Sequence, residues 1–244
     1  MKLSIATYNI LHCENDALRQ QGKHVIDPLC TADTVDALQV SVCGLNEVRR
    51  QSGDPPMCDQ AKVIGNKLGM HAIFAKAINI SGGEYGNALL SRFPIESVRI
   101  VPIQTTEEER RGQQRHGEDR VLLIARLSVE GKTLTVMVSH FGLLDIEKAR
   151  AIETLRREVA AVDTPLVFMG DLNLTPDSAF YAELTSFLQD ASPEQERNIP
   201  TFSRDVPQRK IDYIFTNALC RAEHTEAVPI GVSDHLPLRT DIVF

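Results

Sequence analysis

The chain has 244 residues, of which 43% are hydrophobic and 24% charged, ordinary globular values that exclude a disordered chain. Its 26 Lys and Arg against 33 Asp and Glu leave a net charge of −7, which argues against coating nucleic acid by bulk electrostatics. No apolar run approaches the roughly 20 residues that span a bilayer, residues 1–8 lack the apolar stretch of a signal peptide, and the five cysteines show no C-x-x-C spacing. The expectation is one domain over residues 1–244, cytoplasmic, with reduced cysteines and no stable membrane insertion.

Lys2 to Asn9 alternates apolar and polar residues, as a half-buried strand does. A second strand is expected over Ser41–Glu47. A helix follows, marked by Ala61, Ile64 and Leu68 at i, i+3, i+7, then strands over Ala72–Ile78 and Ala88–Ser91. Gln104–Asp119 is almost wholly polar and reads as a surface loop. Val121–Val129 and Lys132–His140 flank Glu130-Gly131, a two-residue hairpin signal. Ile152, Leu155, Val159 and Val162 mark a helix of about three turns, and Glu153 with Arg157 adds an i, i+4 pair on its outer face. After it come a strand at Pro165–Gly170, a helix at Ser178–Leu188, a second loop at Ser192–Gln208, and strands at Lys210–Thr216 and Leu238–Val243. Strands outnumber helices and one connection is a tight hairpin, so the class is α/β (α+β) with mixed sheets.

The chemistry lies at the strand ends. Asn9 closes the first strand in TYNI and Glu47 the second in GLNEV. His140 ends VMVSHFG, and PLVFMG delivers Asp171 and Asn173 in MGDLNLTP. Asp212 opens IDYIF, and Asp234-His235 stands in SDHLPL before the last strand. One such residue is ordinarily a cap or a satisfied core polar group; six strand-end positions, all with hard oxygen or imidazole donors, form a pattern. If Glu47, Asp171, Asp212 and Asp234 converge, mutual repulsion favours proton uptake unless a cation neutralises them. Oxygen donors without thiolates suit Mg²⁺ or Mn²⁺ rather than zinc. Histidines beside such a cation supply proton transfer or anion stabilisation, a combination suited to metal-assisted hydrolysis of a phosphate ester.

The ordered series TYNI, GLNEV, YGNALLSRFPI, VSHFGL, MGDLNLTP, IDYIF, SDHLPL resembles the endonuclease/exonuclease/phosphatase superfamily, from Tyr8 to His235. That resemblance implies a four-layer α/β sandwich, two mixed sheets face to face with helices outside. It assigns Mg²⁺ to Asn9 and Glu47 with Asp234 as a further ligand. Asp171 and Asn173 match the pair that positions or activates the attacking water, His235 the histidine on the scissile phosphate, and Asp212 the carboxylate that orients it. His140 matches a second family histidine. Either Asp171 or His235 fits the group that takes the water's proton. Arg120, in GEDRVLLIARL, takes the place of a family arginine and is a phosphate-contact candidate, while Tyr85 and Asn87 resemble residues lining the substrate cleft. Asn46 stands where a glutamine usually precedes the metal-binding glutamate.

The expected activity is a Mg²⁺-dependent phosphoesterase acting by in-line attack of water. Its alternatives are a DNA or RNA nuclease of the same superfamily and a catalytically inactive binding module. All seven central positions hold competent residues, which disfavours the module. The richest basic stretch, Arg110, Arg111, Arg115 and Arg120, is interleaved with Glu107, Glu108, Glu109, Glu118 and Asp119. That mixture favours a small molecule or lipid headgroup over nucleic acid.

Overall fold

The computed structural model describes residues 1–50, 58–80, 82–111, 117–192 and 198–244. Twelve strands are found among them: β1 Lys2–Asn9, β2 Val42–Arg50, β3 His71–Ile80, β4 Gly83–Ser91, β5 Ile95–Ile103, β6 Arg120–Val129, β7 Lys132–Ser139, β8 Leu166–Asp171, β9 Gln189–Asp190, β10 Asp212–Thr216, β11 Arg221–Ala227 and β12 Leu238–Val243. The helices are α1 Asp16–Arg19, α2 Pro28–Ala37, α3 Gln60–Leu68, α4 Glu107–Arg110, α5 Asp145–Ala160 and α6 Ala179–Thr185.

The strands form two six-stranded sheets, β11-β12-β1-β2-β4-β3 and β5-β6-β7-β8-β10-β9. Each has a single parallel pair, β1 with β2 and β7 with β8, and its other pairs are antiparallel. The fold is therefore the mixed α/β sandwich expected. Glu130 and Gly131 both adopt positive φ, 49° and 83°, and join β6 to β7 as a hairpin.

Strand periodicity explains the four layers. Val121, Leu123 and Ala125 point from β6 toward the other sheet, into a core shared with Ile5, Val42 and Leu89. The alternating Leu122 and Ile124 point outward and pack with Phe168, Phe215 and the α5 and α6 residues Ile152, Leu155 and Leu184. On the far side Ala6, Tyr8, Cys43 and Leu45 meet Ala32 and Val35 of α2 and Ile64 of α3. Covered on both faces, β6 and β8 carry the unbroken apolar runs VLLIA and LVFMG, while β1, expected to be half-buried, is buried on both faces from Ile5 to Asn9. Each fully buried Leu, Ile or Phe contributes roughly 1.5–3 kcal/mol. Beneath the strand ends the sheets approach closely: a Cβ on Gly44 would meet Met169 Sδ at 2.7 Å.

Several elements lie beyond the sequence expectations. β5 and β11 are strands at or near the sheet edges whose exposed residues hide the period of two. α2 is short and polar (PLCTADTVDA), yet Asp27 caps it by accepting from the Leu29 and Cys30 N–H groups, with Pro28 in its first turn. The expected loop at Gln104–Asp119 contains α4, closed by a Thr106–Glu109 capping box. Residues 112–116 and 193–197 of the two expected loops, Arg115 included, lie outside the described residues. α6 stops at Thr185, short of the expected Leu188, and β9 follows.

Candidate active site

The C-terminal ends of β1 and β8 and the N-terminal end of β10 meet at one edge of the sandwich. Asn9, the last residue of β1, donates through Nδ2 to Glu47 Oε1 at 3.0 Å and to Asp171 Oδ2 at 3.0 Å. Its Oδ1 accepts from Leu11 N–H at 3.1 Å, so the amide presents nitrogen to the two carboxylates. One side chain thus spans the two sheets.

Glu47 reaches that point because β2 is bulged. Register against β4 shifts between Leu45 and Val48, and Glu47 itself has φ 59°. A bulge re-aims one side chain without ending the strand, and a non-glycine residue in the left-handed region stores strain of order 1–3 kcal/mol. The bulge also turns Asn46 inward. Asn46 Oδ1 accepts from Asp171 N–H at 2.9 Å, while its Nδ2 donates to Asn87 Oδ1 at 2.9 Å and Ser139 O at 3.1 Å. Asn87 Nδ2 continues the chain to Val121 O at 3.2 Å.

His235 is held from below. Its Nδ1 meets Asp212 Oδ2 at 2.8 Å, its backbone N–H donates to Ser233 Oγ at 3.2 Å, and Ser233 Oγ donates to Asn9 O at 2.7 Å. The carboxylate on Nδ1 fixes the tautomer and leaves Nε2 facing Asp171 Oδ2 at 3.7 Å. Burial alone would lower the His235 pKa; the charge and hydrogen bond of Asp212, then Asp171 and Asp234, outweigh it and lift the value to about 10. Burial, reinforced by the charge of Asp212, pushes the Asp171 carboxyl up despite opposition from His235 and Asn9. Burial raises Glu47 as well.

His140 follows β7 directly and behaves differently. Asn173 Nδ2 donates to Phe141 O at 3.1 Å and stands 3.0 Å from His140 Nε2, which makes that ring nitrogen the acceptor. Burial, then the positive charges of Arg120 and His235, holds His140 well below the usual imidazole value. The two histidines therefore differ in charge at neutral pH. Asn173, at φ 50°, turns back so that its N–H donates to Asp171 Oδ1 at 3.0 Å.

A cleft of about 450 Å³ opens over these groups, lined by Glu47, Tyr85, Arg120, Asp171, His235 and Phe202 among others. Arg120 is 8% exposed, pairs with Glu118 at 3.2 Å and has a buried Nε without a partner. Burial, then the charge of Glu47, keeps the Tyr85 hydroxyl well above its usual pKa, so it is neutral. Asp234 lies at the rim, 3.6 Å from Arg19 Nη2. Asn87, expected in the cleft wall, is 2% exposed and lies beneath it as part of the amide chain. Phe202 and Arg209, absent from the sequence expectations, stand in the wall; their only sequence signal was position, ten and three residues before Asp212.

These donors fit a hard divalent cation. Glu47 and Asp171 share one amide, both are pushed toward protonation, Asp212 Oδ1 is buried without a partner, and no cysteine lines the cleft. One ligand atom each from Asp171, Asp212 and His235 falls within 4.8 Å of the others. Because Asp212 Oδ2 and His235 Nδ1 already bind each other, that trio serves better as an oriented imidazole than as a metal cage.

The two-sheet sandwich gathers aspartate, asparagine and histidine at one edge. The Endonuclease/Exonuclease/phosphatase family model matches residues 6–235, and the chain belongs to this family, which generally depends on divalent metal ions. An uncharacterised protein, YbhP, of Escherichia coli K12 is 27% identical over 173 residues; the match covers 66% of this chain and 63% of that relative, less than two thirds of its length. The endonuclease/exonuclease/phosphatase from Beutenbergia cavernae has the same fold, with a TM-score of 0.81 and 24% identity over 99% of this chain and 71% of that one. The mannosyl-6-phosphatase Bt3783 of Bacteroides thetaiotaomicron superposes with a TM-score of 0.75 at 16% identity, covering 99% of this chain and all (100%) of that one.

Proposed function

We propose that the chain is a Mg²⁺-dependent phosphoesterase, with Mn²⁺ as a substitute, that hydrolyses a small phosphoester by in-line attack of water. The observation that carries this reading is the meeting of Asp171, the Asp212–His235 pair and Glu47 across both sheets in one cleft. Glu47, Asp234 and the Asn9 oxygen are the proposed metal donors; Asn9 serves with its amide turned over. The bound cation would offset charge on the phosphoryl oxygens and ease deprotonation of water.

The protein groups do the rest. Asp171, raised by burial, accepts a proton from the attacking water, and Asn173 keeps its carboxylate oriented. His235, charged on the Asp212 carboxylate, donates through Nε2 to a phosphoryl oxygen, where negative charge grows in the transition state. Arg120, in the cleft lining, brings a positive charge to the same group. Neutral His140 holds Asn173 without adding charge. Tyr85 lines the opposite wall. The five unpaired cysteines fit a cytoplasmic setting.

A small substrate is favoured over nucleic acid because Arg110 and Arg120 of the basic stretch, and Arg150 beside it, are paired with carboxylates. Arg110 lies 2.6 Å from Asp119, Arg120 3.2 Å from Glu118, and Arg150 2.7 Å from Glu109. A duplex carries one charge per roughly 1.7 Å and needs a series of unpaired cations. The test compares kcat/KM for small phosphomonoesters and diesters with that for duplex DNA at about 0.1 M salt. A DNA value higher by decades with steep salt dependence makes this a nuclease, and full turnover in excess EDTA after metal stripping removes the metal from the mechanism.

A further inference from the structure

We propose that Arg209 reads a second phosphate on the substrate, a few bonds from the scissile one, so that small bisphosphates are preferred; this rests on the phosphoesterase reading above. Arg209 lines the cleft three residues before Asp212. Its guanidinium carbon sits 4.7 Å from the centre of the Phe202 ring, and that ring centre is 4.8 Å from the His235 ring centre. Those two steps bound the distance between imidazole and guanidinium, a span that one small molecule covers.

The backbone makes this placement firm. Phe202 N–H donates to Arg209 O at 3.0 Å and Arg209 N–H to Phe202 O at 2.9 Å, while Leu236 N–H donates to Thr201 O at 2.7 Å. Phe202, Arg209 and the His235 loop are therefore one ladder, and the cation stays in register with the reacting edge. Stacking on Phe202 pre-orients the guanidinium, which reduces the ordering cost of binding.

Charge pairing singles out the same residue. Arg204 lies 2.9 Å from Asp205 and Lys210 2.9 Å from Asp190, both engaged by carboxylates. Arg209 has no carboxylate partner among the described residues, although it shares the cleft with Glu47, Asp171 and Asp234. A planar fork of donors free to bind suits a phosphate. The Phe202 face is already covered by that guanidinium, which favours an anion there over a stacked base. A bisphosphate and a nucleic-acid strand both carry a second phosphate; one unpaired cation matches one extra phosphate and not a run of them.

The experiment measures kcat/KM with Mg²⁺ for fructose 1,6-bisphosphate, fructose 6-phosphate, a single-stranded oligothymidylate and p-nitrophenyl phosphate. The wild type is expected to prefer the bisphosphate to the monophosphate about tenfold or more, and Arg209→Ala to cut that preference about tenfold or more, with Arg209→Lys between. Arg221→Ala, on the exposed strand β11, removes the same charge outside the cleft and is expected to keep the preference. Equal losses on both sugar phosphates in Arg209→Ala, or a wild-type preference below about twofold, overturn the proposal. A loss confined to the oligothymidylate assigns the second phosphate to a strand and also overturns it. Turnover of p-nitrophenyl phosphate alone refutes the bisphosphate inference and spares the phosphoesterase reading; no turnover of any substrate refutes both.

Discussion

His235 Nδ1 stands 2.8 Å from Asp212 Oδ2, and that contact decides how the histidine titrates. His235 holds its proton more tightly folded than unfolded. Its pair with Asp212 therefore adds stability below the ordinary imidazole value of 6.5, and that contribution is lost as pH rises through about 10. In metal-free protein, NMR of the His235 ring is expected to show a charged imidazole throughout neutral pH. Asp212→Asn removes the first cause of the increase while burial remains, so the titration moves down toward or below 6.5. A wild-type His235 that titrates at or below 6.5 contradicts the pair. In steady-state kinetics Asp171→Asn and His235→Ala should each cost ~10²–10⁴ in kcat. The Asp212→Asn, His235→Ala double variant should lose much less than the sum of the single losses, because the two act as a unit. Additive losses would separate them.

At the scale of elements, the bulge in β2 and the amide chain beneath it link the two sheets. Asn46→Ala leaves Asp171 N–H, Asn87 Oδ1 and Ser139 O short of a partner in a dry interior. The expected loss is roughly 3 kcal/mol of stability in urea unfolding, and a loss below about 0.5 kcal/mol would show that the chain is incidental. Gly170 is the second fixed point. At φ 151° any Cβ there would lie 1.8 Å from Ser139 O, because β8 passes so close to β7. Gly170→Ala should lower stability by roughly 3 kcal/mol or more and displace Asp171, its neighbour, so thermal melting and kcat fall together. Melting at the wild-type temperature would mean that the strands can part without cost.

Across the whole molecule, the proposed metal binding is coupled to stability through the balance of buried charge. Asp171 and Glu47 bind protons more tightly folded than unfolded in the absence of a cation. Their contribution therefore falls as pH rises above the ordinary carboxylate range through their raised values. A cation that neutralises them reverses this, and protons compete with it at low pH. Adding Mg²⁺ to about 100 times its dissociation constant at pH 8 should stabilise by about 2.7 kcal/mol, or some 5–10 °C in Tm, and the same concentration should give a smaller gain at pH 5. Differential scanning calorimetry checks this, and an equal gain at both values would separate the metal from these carboxylates. Glu47→Gln should raise the Mg²⁺ concentration needed for half-maximal activity.

Much of this was written in the chain. Apolar strand runs, the Glu130-Gly131 turn, and single polar residues at strand ends pointed to a mixed α/β fold and to the edge where those polar groups gather, because burial on two faces leaves only the ends free to carry polar groups. Local pattern failed where a residue's setting is made by distant neighbours. β5 and β11, with exposed faces, lost their period of two, and α2 depends on its cap and on packing against β1 and β2 rather than on an apolar stripe. Asn87 had the sequence setting of a cleft residue, but the bulge at Glu47 drew it into the amide chain under the cleft. The different charge states of His140 and His235 likewise came only from tertiary contacts, burial beside Arg120 for one and Asp212 against the other. Strand sequence determined which side chains reach the edge; the approach of the two sheets at Gly44 and of β8 to β7 at Gly170 decided which of them meet, and with what charge.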